Sequence, residues 1–339
     1  MYILLLFHTS HYMFKVIPYC SLCSAILGGI LQSINGLTSL HVDKVPVDIA
    51  LPHQLTSQRL EKVTDDTTSP VTLKLIKSVE VKQCDGDVEE PWYTGMDFLS
   101  DGRLVVVDHM NCKLYVMDEN LQKLGMYKFS RYPYDVAVVS GEEVAVTGGR
   151  YKVIEFLHIS KTNHITLTRT LTTTAWYYYI CLMNDTTFLV STYTDKRPLR
   201  MITLTGEEKD FDNLPEKQND IGYSTSTYIR DRDIMVLTDV LDNTVYMYDN
   251  KKGRCELRCA VKDERIKGPK GVCQGPNNSV LVCIEHTHSL VQVSVSGRVM
   301  GSHKLDMWYP RTVCMSKDGK KLAVSNGTQG NVKLQLFSC

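Results

Sequence analysis

The chain has 339 residues, and its 38 basic side chains balance 38 acidic ones. That balance excludes a generally basic nucleic-acid surface and an acidic tail. The length allows two ordinary domains or one large repeat domain, and the hydrophobic content of 43% is that of a soluble globular protein.

Residues 1–40 are apolar and fall into two blocks, split by His8, Thr9, Ser10 and His11. The second block contains Pro18 and Gly28-Gly29 and falls short of the ~20 apolar residues a membrane span needs. The chain start also lacks the basic region of a signal peptide, since the amino terminus is the only positive charge before Lys15. No membrane span is therefore expected, with a signal or anchor as the alternative. His8, His11, Cys20 and Cys23 have a spacing a zinc ion could use, but their greasy surroundings lack the polar turns of zinc modules. They read as incidental, and no metal or cofactor is expected. Residues 41–70 are polar and read as a linker.

From residue 91 a unit of roughly 43 residues repeats. Pro269-Lys-Gly-Val-Cys-Gln-Gly-Pro-Asn-Asn278 lines up with Pro310-Arg-Thr-Val-Cys-Met-Ser-Lys-Asp-Gly319. Tyr93 to Gly102 and Pro133 to Gly141 follow the same frame. Further units begin near Trp176 and Tyr223. Each unit has a second strand that is an apolar run, such as Leu104-Val-Val-Val107 or Val280-Leu-Val-Cys283, suited to burial on both faces. A third strand alternates, as in Leu290-Val-Gln-Val-Ser294, which predicts one packed face and one wet face. A polar fourth strand follows, fit for an outer edge. Four strands at this period make a propeller blade. The sixth unit ends after its third strand, and Val71 to Val81 is an alternating strand without a sheet of its own. The expected fold is all-β: a six-bladed β-propeller over residues 71–339, closed by the N-terminal strand completing the last blade.

The 11 cysteines are odd in number and follow no framework spacing. Cys273, Cys283 and Cys314 sit inside apolar runs and read as buried thiols, which favours a reducing compartment. A cytoplasmic location is expected. Sequons at Asn184, Asn277 and Asn326 keep a secreted alternative.

Asp101-Gly-Arg-Leu-Val-Val-Val-Asp-His-Met-Asn111 resembles the strand–loop signature of NHL-type propellers, as does Leu237-Thr-Asp-Val-Leu-Asp-Asn-Thr-Val-Tyr-Met-Tyr-Asp249. Six degenerate blades with an N-terminal closing strand resemble the C-terminal propeller of invertebrate tripartite-motif proteins. That resemblance, over about residues 71–339, implies target recognition linked to ubiquitin transfer. The sequence departs from the family plan in lacking the RING, B-box and coiled coil. NHL-type propellers also include RNA binders and a lyase, so RNA binding and a metal-dependent hydrolase or lyase are the alternatives.

No G-x-S-x-G, phosphate loop, G-x-G-x-x-G or H-E-x-x-H is present, so no enzyme activity is expected. Asp108 with Asn111, and Asp239 with Asn243, recur after second strands and read as turn-forming side chains. Glu285-His-Thr-His288 occupies the equivalent loop of the fifth unit and reads as exposed polar residues. The expected binding face combines strand-entry aromatics with the loops after second strands: His109, Arg150, Tyr151, Tyr193, Arg197, His286, Trp308, Tyr309 and Arg311. Aromatic and arginine side chains of this kind suit a protein or peptide ligand.

Overall fold

The computed structural model describes residues 69–192, 195–214, 225–327 and 332–339. β1 (Lys74–Glu80) comes first. Blade one is β2 (Tyr93–Phe98), β3 (Leu104–Asp108), β4 (Lys113–Met117) and β5 (Lys123–Lys128). Blade two is β6 (Val136–Val138), β7 (Glu143–Thr147), β8 (Val153–Ile159) and β9 (Ile165–Thr172). Blade three is β10 (Tyr177–Asn184), β11 (Thr187–Thr192), β12 (Leu199–Thr203) and β13 (Glu208–Asp210). Blade four is β14 (Ser226–Ile229), β15 (Ile234–Asp239), β16 (Thr244–Lys251) and β17 (Arg254–Val261). Blade five is β18 (Pro269–Gln274), β19 (Ser279–Ile284), β20 (Ser289–Ser294) and β21 (Val299–Lys304). Blade six is β22 (Pro310–Met315), β23 (Lys321–Asn326), β24 (Lys333–Ser338) and, as its outer strand, β1. Within each blade the strands pair antiparallel, and the inner strands β2, β6, β10, β14, β18 and β22 touch their neighbours around a closed ring.

The closing strand is held at both ends. β1 pairs with β24 from Lys74↔Ser338 to Glu80↔Lys333. Val79 and Val81 pack on the core between blades six and one, and Val71 and Leu73 on the core between blades five and six. The Val71 N–H also donates to Gln292 of blade five at 2.7 Å.

Each of the six cores lies between adjacent blades, so both faces of a blade are covered. This corrects the expected wet face of the third strands: β4 and β20 are buried throughout. Their polar positions are satisfied internally. Lys113 pairs with buried Asp87, and the Gln292 side chain donates to Ser279 Oγ at 2.8 Å. Alternation survives mainly on outer strands such as β5 and β9.

Hydroxyls staple inner strands to their neighbours. Thr94 donates to the Tyr134 carbonyl, Thr147 to Tyr178 O at 2.7 Å, Thr225 to Lys270 O at 2.8 Å and Thr312 to Thr94 O at 3.2 Å. Each satisfies a buried carbonyl that a propeller's inner strand cannot pair within its own sheet. Cys255, Cys273, Cys283 and Cys314 are buried free thiols in these cores, and burial pushes each thiol pKa up. Asn326 is 1% exposed, which closes that sequon in the folded state. Among the described residues no helix is long and apolar enough to cross a membrane. Residues 1–68, with the apolar segment, most of the linker and the His8, His11, Cys20, Cys23 set, lie outside the described residues.

Candidate functional site at the channel mouth

One end of the ring gathers the strand entries and the loops after second strands. Here Asp108 Oδ1 accepts the Asn111 N–H at 3.4 Å, the local turn contact expected, and both side chains also reach beyond the turn as staples. Asp108 Oδ1 accepts the Trp92 N–H at 3.0 Å, and the Asn111 amide donates to Glu89 O at 3.0 Å. In blade four, Asn243 Oδ1 accepts the Gly268 N–H at 2.7 Å. The blade-one loop is thereby tied to its own entry segment and the blade-four loop to the entry of blade five, which fixes the residues that follow.

His109 is the hub of an aromatic cluster. Its ring centre lies 5.3 Å from those of Trp92, Tyr132 and Tyr134. Tyr134 meets Tyr178 edge-on at 4.7 Å and Tyr179 at 5.3 Å. His109 Nδ1 donates to Pro133 O at 2.7 Å, a carbonyl that fixes the tautomer. Burial lowers its pKa to about 4, opposed by that hydrogen bond and reinforced by Arg311 and Arg150 nearby. It is neutral at pH 7 and serves as an aromatic spacer.

Arg311 projects from blade six across this end of the channel. Its guanidinium lies 4.8 Å over the Trp92 ring and donates to Tyr134 OH at 2.9 Å. Arg150 stacks against Tyr132 and Tyr151 at 5.8 and 5.4 Å. His109, Arg150, Tyr151 and Arg311 therefore meet in one array. Trp308 and Tyr309 form a neighbouring pad with His288, at 4.6 and 5.2 Å. Trp308 is 65% exposed. His288 and Tyr309 hold φ of 52° and 51°, each costing about 1–2 kcal/mol, and the Tyr309 N–H donates to His288 Nδ1 at 3.2 Å.

The other expected residues sit apart. His286 lies over Gly268, where an added Cβ would stand 3.2 Å from its Nε2. Arg197 is engaged by Asp195 and Asp210, each at 2.7 Å, and no contact joins it to the array among the described residues. Tyr193 lies outside the described residues. The entry aromatics divide: Tyr93 and Tyr177 are core wedges at 0% and 1% exposure, while Tyr132 and Trp176 face solvent. Glu285 pairs with Lys270 at 3.3 Å. Among the described residues no group of three His, Cys, Asp or Glu side chains is placed to hold a metal ion.

Behind Arg311 lies a channel cavity of about 370 Å³, bounded at its far end by Asp97, Arg230 and Lys317. Two carboxyls in its wall escape the sequence reading. Asp97 accepts the Val138 N–H at 2.8 Å; burial raises its pKa, against Lys317 and two backbone N–H groups. Asp135 accepts the Ile180 N–H at 3.0 Å, and burial pushes its pKa up to about 8. The available signal is an acid in the inner-strand register: at Asp97 blades two, five and six place Ala or Cys, and at Asp135 blades one, five and six place Gly or Thr. Both bridge to the next blade.

No protein-family model matches the sequence, and neither does any curated protein. Solved structures do match. Virginiamycin B lyase from Staphylococcus aureus is 14% identical with a TM-score of 0.54, over 79% of this chain and 100% of that one. Hydrazine synthase from Kuenenia stuttgartiensis is 12% identical with a TM-score of 0.56, over 75% and 98%. The β-propeller domain of Cps50 (Swd1) from Myceliophteria thermophila is 11% identical with a TM-score of 0.52, over 73% and 83%. At these identities the likeness is one of fold, and the fold is a β-propeller.

Proposed function

We propose that this propeller is a recognition module that binds a partner protein over the mouth of its channel and performs no chemistry itself. The observation that carries this reading is the exposed aromatic–arginine array, held by strained backbone and loop staples on a rigid ring. Large side chains fixed before binding lose little entropy on contact, and Trp, Tyr and Arg dominate binding hot spots. Under the NHL resemblance, the bound protein is a target presented to a separate ubiquitin ligase. Affinity capture from native extract tests the proposal. The wild type should retain a defined set of proteins, and Trp308→Ala with Tyr132→Ala should reduce their recovery at least tenfold. Equal recovery by the double variant would remove the mouth as the binding face.

A further inference from the structure

We infer that the partner segment is an acidic peptide, whose carboxylates anchor between Arg131 and Arg150; this rests on the recognition reading above. Both guanidinium groups stand over one ring, 5.8 and 5.4 Å from the centre of Tyr151. Two like charges converge there, and among the described residues no salt bridge engages either. Arg131 acts on the half-buried Glu155 only at longer range. Four other arginines are closely paired: Arg197, Arg200, Arg258 and Arg265 hold carboxylates at 2.5 to 2.8 Å. Arg150 is thus an exposed cation oriented by tyrosine faces and not by an acid. A guanidinium fork pre-set in this way matches a carboxylate.

The local potential agrees. Arg311 and Arg150 both act to keep buried His109 unprotonated. Beside Tyr151, a depression of about 370 Å³ is lined by Lys152, Lys196 and Trp176, which gives an extended segment room to continue. RNA fits less well. A nucleic-acid backbone needs a track of cations, and this chain is neutral overall, with Asp195 in the same depression.

The test uses the full chain on an array of random peptides a dozen residues long, with a random single-stranded RNA pool in parallel. The wild type should select peptides of net negative charge. Arg131→Gln with Arg150→Gln should weaken that binding about tenfold or more, with an unchanged melting temperature. Selection of neutral or basic peptides, or acidic peptides bound equally by the variant, would overturn the anion anchor. If Trp308→Ala abolishes binding in that case, partner recognition at the mouth survives. Binding of RNA without peptide, or of neither, would overturn both readings.

Discussion

At the scale of single residues, the inner strands leave no room at two glycines. A Cβ at Gly95 would stand 2.4 Å from Asp135 Oδ1 and 2.5 Å from its Cα; one at Gly271 would stand 2.3 Å from Arg311 O. Backbone cannot yield as a side-chain tip can. Gly95→Ala should therefore destabilise the fold by about 1–3 kcal/mol in denaturant titration. Asp135 makes a second prediction. Its folded pKa, about 8, is raised above the ordinary 3.8. Below pH 4 both folded and unfolded states are protonated and the carboxyl is without effect. As pH rises toward 8 the unfolded state ionises first, so stability falls across that window. Asp135→Asn keeps an acceptor for Ile180 and removes the titration. Its melting temperature should match the wild type near pH 4 and exceed it increasingly toward pH 8. The turn roles of Asp108 and Asp239 were legible because Asx side chains close turns at fixed offsets. Asp97 and Asp135 were not, because their partners are backbone N–H groups of another blade.

Among the elements, β1 decides whether the ring closes. A chain starting at Pro91 lacks it and exposes the β24 edge with the apolar surface under Val79 and Val81. It should melt roughly 10 °C or more below a chain starting at Pro70, as the loss of several kcal/mol implies. Equal melting would contradict the closure. This strand was legible from the missing fourth strand of the last unit. Blade three was harder to read past its second strand. Arg200 sits inside β12, where a packing residue is expected, and is only 8% exposed. It is neutralised by Glu208 at 2.8 Å and Asp210 at 2.5 Å, both from β13. A buried charge pair breaks an apolar pattern while preserving the strand. The third strands misled in another way: their alternation marks buried polar pairs, since neighbouring blades cover both faces.

For the whole molecule, six blades with all cores between them give a stiff ring, and the two ends of its channel differ. One end carries the stacked aromatics and guanidinium groups; the other carries Asp97, Arg230 and Lys317. The meeting of His109, Arg150, Tyr151 and Arg311 at one end was legible because the repeat register alone places entry segments and loops together; the separation of His286 and Arg197 from them was not. Which arginines stay available was not, because Arg197 and Arg150 look alike until their neighbours are known. The most direct measurement is site-specific photocrosslinking to captured partners, from positions 132 and 308 at the mouth and 126 and 257 on the outer strands. The account predicts partner crosslinks from the mouth positions alone. Crosslinks confined to the outer strands would contradict it.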